Sequence, residues 1–186
     1  MQLCGSLTPA MNCQLRTMLI YAGPATLLMA SGRGSGRKPV TGRGFSIREY
    51  GTADFSAVIR LWRLSGIHTG LSDSKRELER ARKRDPELFL VADSQGIVAG
   101  AVFGRFDGRR GWINHLAVHP SFRSRGIGEA LVRELEKRLA AAGCAKVNLH
   151  VHRSNEGVCA FYDRMGYGRA DLIYMEKWLR RRPVRQ

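Results

Sequence analysis

Apolar and polar positions alternate along Phe45-Ser46-Ile47-Arg48-Glu49-Tyr50, the pattern of a half-buried first strand. The period then lengthens. Phe55, Val58, Ile59 and Trp62 recur at helical spacing, which predicts a helix from Thr52-Ala53-Asp54 up to Gly66. A second helix is expected to start at Asp73 and run through the charged stretch from Lys75 to Lys83. Strands over 87–92 and 97–103 flank the turn Asp93-Ser94-Gln95-Gly96, and Phe106-Asp107-Gly108-Arg109-Arg110-Gly111 turns into another strand over 112–118. Further on, Leu131, Val132, Leu135 and Leu139 stripe a helix over 129–142, with Glu129–Arg133 and Glu134–Arg138 as i,i+4 pairs on its wet face and Gly143 ending it. A strand over 146–151 puts Val147, Leu149 and Val151 on one face, and Asn148, His150 and His152 on the other. Asn155 is placed to cap a short helix ended by Gly166, and 169–178 supplies a final strand. The order predicts an α/β fold: a mixed, mostly antiparallel central sheet with helices on both faces.

One junction carries chemistry. The strand over 112–118 runs through His119-Pro120-Ser121-Phe122-Arg123-Ser124-Arg125-Gly126-Ile127-Gly128 into the amphipathic helix. The first-turn N–H groups of a helix have no helical acceptors, and the helix dipole concentrates positive charge there. Gly126 and Gly128 allow close approach of a ligand, and Arg123 and Arg125 add multidentate phosphate donors. The turn therefore suits a pyrophosphate. It is not a P-loop, since no G-x-x-x-x-G-K-[ST] run occurs. Nor is it a dinucleotide fingerprint, since neither G-x-G-x-x-G nor a ribose-binding acid about twenty residues on is present.

Arg123-x-x-Gly126-x-Gly128 resembles the acyl-CoA-binding signature of the GNAT acetyltransferase superfamily. Leu116-Ala117-Val118-His119-Pro120 ahead of it, and Asn155-Glu156-Gly157-Val158-Cys159-Ala160-Phe161-Tyr162-Asp163-Arg164-Met165-Gly166-Tyr167 after it, are similar to the same family. The likeness spans Phe45 to about Trp178. It implies an N-acetyltransferase that moves an acetyl group from acetyl-CoA to a primary amine, of a small molecule or a protein N-terminus, by direct transfer. Small bacterial members, including the group that acetylates ribosomal-protein N-termini, are similar in motif order.

Composition narrows the setting. In 186 residues the formal net charge is +15. Arg16, Arg33, Arg37, Lys38 and Arg43 precede the first acidic residue, Glu49, and Arg180, Arg181, Arg182 and Arg185 close the chain, so the span between carries +6. That is modest for a domain binding a polyanionic cofactor, and it argues against nucleic acid as the partner. Residues 1–44 read as a basic, disordered extension followed by a domain over 45–178 and a basic tail over 179–186. The apolar stretch over 17–30 is too short to span a membrane. A start codon further downstream, such as Met29, or a targeting segment would equally account for the extension. Cys4, Cys13, Cys144 and Cys159 form no C-x-x-C pair and no zinc spacing, which fits reduced thiols in a cytoplasmic protein with no metal. A monomer or homodimer is expected.

The resemblance also assigns roles. Backbone groups near Leu116, Ala117 and Val118 would pair with the pantetheine arm, one main-chain N–H polarising the thioester carbonyl. Arg123, Ser124, Arg125, Gly126, Ile127 and Gly128 would hold the phosphates, and Asn155 would either bond the pantetheine arm or serve only as a cap. Tyr162, seven residues after Asn155 and so on the same helical face, would protonate the leaving thiolate, or else only pack with Val158, Phe161 and Met165. Many relatives place a glutamate base on one of the two central strands, whereas this chain holds Asn114, His115 and His150 there. His150, His115 or a water chain is the expected base. A non-catalytic acyl-CoA sensor, or a nucleic-acid-docking module on the same fold, is the competing class.

Overall fold

In the computed structural model the described residues are 40–42, 44–177 and 179. Residues 1–39 of the expected extension and 180–186 of the expected tail lie outside them, whereas Val40–Gly42, expected within a disordered extension over 1–44, form a strand paired with the next one. The strands are β1 (Val40–Gly42), β2 (Phe45–Glu49), β3 (Phe89–Ser94), β4 (Ile97–Phe106), β5 (Gly111–Val118) and β6 (Val147–Leu149). The helices are α1 (Phe55–Leu64), α2 (Lys75–Arg84), α3 (Ile127–Ala141) and α4 (Cys159–Arg164). Strand order in the sheet follows chain order, and every neighbouring pair is antiparallel except β5 and β6. That parallel pair needs a crossover, and α3 provides it. Among the described residues no helix is long and apolar enough to cross a membrane.

Both faces of the sheet are covered, and the strand sequences show why. In β3, Phe89, Leu90, Val91 and Ala92 are all fully buried, as expected for a strand with helices above and below. Phe89 and Val91 join Val58, Ile59, Leu61 and Trp62 of α1 and Leu78 of α2 in one apolar cluster. Leu90 and Ala92 join Ile127, Leu131, Val132, Leu135 and Leu139 of α3 and Tyr162 of α4 in the other. Each of the larger side chains contributes about 1.5–3 kcal/mol on burial.

Glycines set how closely α3 approaches. A Cβ at Gly100 would come within 2.8 Å of Ile127 Cγ2, one at Gly104 within 2.5 Å of Leu135 Cδ1, and one at Gly111 within 2.9 Å of Leu139 Cδ1. The α3 side chains therefore rest on strand backbone. Arg138, expected on the wet face, is instead buried: it bonds Glu134 at 2.9 Å, Glu49 at 3.1 Å and the Glu87 carbonyl at 3.0 Å. A buried guanidinium needs such partners to offset its desolvation. Glu129–Arg133 does lie on the exposed face.

Three other expectations change. The strand 146–151 shortens to β6, because β5 pairs with it only from Gly111 to Ile113. Residues 169–177 form no strand, and Leu172, Ile173, Tyr174 and Met175 are exposed, so the alternation there gains no ladder partner. Asn155 does not cap α4. It sits inside a 3₁₀ stretch, Arg153–Val158, with a non-helical φ of −120° and ψ of 27°; His152 caps that stretch, and Val158 is the N-cap of α4.

The glycine seat is testable by denaturant unfolding. Gly104→Ala, which drives a methyl into Leu135, should destabilise by about 1–3 kcal/mol. Gly168→Ala, with open space around it, should stay within about 0.5 kcal/mol. Equal effects would contradict the seat.

Candidate functional site

β5 parts from β6 halfway along its length. Its register with β4 shifts between Phe103–His115 and Gly104–Ile113, leaving Asn114 as the extra residue of a bulge. Beyond that bulge no strand among the described residues pairs with β5 on its β6 side, since the β6 pairing stops at Ile113, although the Val118 carbonyl accepts a long hydrogen bond from the Ser65 hydroxyl at 3.5 Å. His119 N–H donates to the Ala99 carbonyl at 2.9 Å, so by antiparallel alternation Ala117 points its backbone groups at β4. Leu116 and Val118 point theirs at the open edge. This is the edge on which the pantetheine arm was expected.

The open edge runs into the basic turn. Ser124 and Gly126 both adopt left-handed backbone, φ 60° and 77°. Left-handed residues build an anion nest where they alternate with right-handed neighbours. The first helical bond in α3 is Ala130 N–H to the Gly126 carbonyl, so the N–H groups of Ile127, Gly128 and Glu129 have no helical acceptor. The Arg125 guanidinium lies 5.0 Å from the centroid of the Phe122 ring, and Arg123 is exposed with no ion pair among the described residues. A Cβ placed on Gly128 would stand 3.5 Å from Val118 Cγ2 and 3.6 Å from Phe161 Cζ. The end of β5, the first turn of α3 and α4 thus meet at one corner. Unpaired N–H donors, unpaired edge groups and two arginines there fit a ligand with a pyrophosphate and an amide-bearing arm.

Tyr162 sits beside this corner, 8% exposed, with Phe161 and Tyr167 at centroid distances of 5.0 and 5.4 Å. Burial pushes its hydroxyl up to about 12. Tyr167 is raised as well, by burial and by its 2.6 Å bond to Glu136. Asn155 is exposed, and the irregular backbone around it breaks the single helical face that was to align it with Tyr162.

The two histidines separate. His150 is exposed, with the tilted rings of Trp112 at 5.4 Å and Tyr174 at 4.9 Å beside it. His115 projects from β5 toward α1, edge-on to Trp62 at 4.5 Å, and its Nε2 lies 3.1 Å from Asp73 Oδ1. Asp73 was read from the sequence only as a helix start. The one local trace of its role is its place in the loop before α2, where it also accepts the Gly70 N–H at 2.8 Å. It lines a cleft of about 730 Å³ with Phe55, Ile59, Arg60, Arg63 and Thr69. Among the described residues no group of acidic, His and Cys side chains is arranged to hold a metal ion.

Comparison with known proteins adds the following. Residues 55–167 match the pattern of the acetyltransferase (GNAT) family. An acetyltransferase of Yersinia enterocolitica is 41% identical over 133 residues, covering 72% of this chain and 94% of that protein. One from Pectobacterium atrosepticum is 42% identical over the same share of each. Among solved structures, Ard1 from Thermoplasma volcanium superposes with a TM-score of 0.61 at 25% identity, covering 67% of this chain and 82% of that one. PaiA N-acetyltransferase from Thermoplasma acidophilum, solved with coenzyme A, gives 0.62 at 23% identity, with 70% and 94% covered, a likeness of fold.

The tyrosines make a pH prediction. Tyr50 and Tyr162, both raised to about 12 chiefly by burial, keep their protons in the fold above pH ~10, where an unfolded chain releases them. Their contribution to stability is therefore complete below pH ~10 and lost as the pH rises through 12. The unfolding midpoint should fall across that window, with buried tyrosinate absorbance emerging only on unfolding. A flat midpoint would contradict the burial of these hydroxyls.

Proposed function

The chain belongs to the GNAT acetyltransferase family, and from that premise we propose that it transfers the acetyl group of acetyl-CoA directly to a primary amine of a small molecule or a protein N-terminus. One observation carries the reading: the unpaired edge of β5 beyond Asn114 runs straight into the unpaired N–H groups at the start of α3. A static recognition site for a phosphate alone would need only the second of these.

Acetyl-CoA, when bound, supplies a thioester whose carbonyl carbon accepts an amine and whose sulfur leaves. The chain's own groups do the rest. The N–H groups of Gly126 to Glu129, with Arg123 and Arg125, hold the phosphates, and the nest of Ser124 and Gly126 sets their angle. Leu116 and Val118 offer backbone donors and acceptors along the open edge, and an N–H there polarises the carbonyl. Tyr162 carries its proton at neutral pH, as any phenol does, and it donates that proton to the departing sulfur. Asn155, exposed at the entrance to α4, is the weakest member of this set and contributes through its side-chain amide.

Direct transfer predicts intersecting initial-rate lines when acetyl-CoA and amine are varied together, and no acetylated protein by mass spectrometry after incubation with acetyl-CoA alone. Parallel lines with an acetylated Cys144 or Cys159 would sink it. Tyr162→Phe should lower kcat by about 10²-fold while leaving acetyl-CoA affinity unchanged. An unchanged kcat would reduce Tyr162 to a packing residue.

A further inference from the structure

We propose that Asp73 and His115 form the pair that deprotonates the acceptor amine, with His115 Nδ1 taking the proton and Asp73 acting as its positioning residue. The inference rests on the acetyltransfer reading above and supplies the base that the sequence left open.

Only two charged residues are buried among the described ones, Arg138 and Asp73, each 7% exposed. Arg138 is held by carboxylates. Asp73 has no cation. Its Oδ2 accepts the Gly70 N–H at 2.8 Å, and its Oδ1 faces His115 Nε2 at 3.1 Å. A buried carboxylate is costly unless paired, and among the described residues the imidazole is its only titratable partner. An ionised carboxylate can only accept, so the shared proton belongs to Nε2. That fixes the tautomer and leaves the Nδ1 lone pair as the free site of the ring.

The ring is also held by its neighbours. Trp62 from α1 meets it edge-on at 4.5 Å and Phe103 from β4 lies 6.5 Å away, and both are uncharged. Asp73 is the charged group that touches it. Arg60 and Arg63 of α1 line the cleft on which Asp73 also opens. His115 directly follows the Asn114 bulge and directly precedes Leu116, the first residue of the open edge. The base therefore stands one residue from the backbone groups that line the thioester's path. Among the described residues His150 has no such partner: two aromatic rings lie beside it, and no carboxylate bonds its ring.

The protons balance. An alkylammonium gives one proton to His115 Nδ1, and Asp73 stabilises the imidazolium that results. The neutral amine forms the C–N bond as the C–S bond breaks, and the sulfur takes the Tyr162 proton. The nitrogen's remaining surplus proton restores Tyr162, and His115 returns its own to solvent. Such a base serves amines that arrive protonated, near pKa 10.4 for a lysine-type amine, as well as the less basic α-amines near 8.

The test uses the full chain in two readouts. Nitrogen NMR of the imidazoles in the absence of acetyl-CoA should show His115 protonated at Nε2 and bare at Nδ1. Asp73→Asn, which can still accept the Gly70 N–H, should lose that preference. Acetyl transfer to L-lysine, spermidine and an alanyl dipeptide should fall by about 10²-fold or more in His115→Gln, with loss of the ascending limb of the kcat/KM pH profile. Asp73→Asn should keep the limb and lower kcat more than it raises KM. Acetyl-CoA affinity, measured by calorimetry, should be unchanged in both variants. A His115 protonated at Nδ1 in the wild type would overturn the pair whether or not any amine is acetylated. So would a pH profile unaltered in His115→Gln. Failure of the wild type to bind acetyl-CoA would instead count against the acetyltransfer reading itself.

Discussion

The seat of α3 on strand backbone governs this molecule. Gly100 and Gly104 on β4 and Gly111 at the start of β5 admit Ile127, Leu135 and Leu139 at distances that leave no room for a Cβ. That contact fixes both the height and the direction of α3, and so the place where its first turn ends. Because α3 is also the crossover between β5 and β6, its position decides where the unpaired N–H groups meet the unpaired edge of β5. Raise the helix by a methyl and the corner opens, even though none of the three glycines belongs to it.

The second constraint is the bulge at Asn114. A regular β5 would run beside β6 to its end, with every backbone group spent on the ladder. One extra residue ends the pairing at Ile113, frees Leu116 and Val118, and restores the alternation so that His115 and Ala117 face α1 while Leu116 and Val118 face α3. The same irregularity goes with the open edge and with the aim of His115 at Asp73, at the cost of the hydrogen bonds a longer ladder would have made. The proposed catalytic side chains then lie on the two sides of the sheet: Tyr162 with the α3 cluster, His115 against Trp62 of the α1 cluster.

Much of this was legible in the chain. The stripe Leu131, Val132, Leu135, Leu139 is a local pattern, and its burial follows from periodicity alone. The turn from Arg123 to Gly128 was readable because its chemistry is written in consecutive residues. What escaped were contacts between residues distant in sequence. Asp73 and His115 are 42 positions apart, and nothing around Asp73 distinguishes it from an ordinary helix start. Arg138 looked like half of a surface pair because its partners at Glu49 and Glu87 lie 89 and 51 positions away. The segment 169–177 carried alternation without a partner strand, and periodicity cannot report whether a ladder exists. Asn155 does not cap α4 or share a helical face with Tyr162 for a local reason: the Arg153–Val158 turn is 3₁₀, and spacing by 3.6 does not apply across it.

The central claim is that the corner between β5 and α3 is where acetyl-CoA binds. Calorimetry of the full chain with acetyl-CoA, beside an Arg123→Ala/Gly126→Asp double variant, tests it most directly. The variant removes a phosphate donor, strains the left-handed cap at φ 77° and puts a carboxylate into the nest. Saturable binding by the wild type, lost in a variant that remains folded, is the predicted result. Equal binding by both, or none by either, would contradict it.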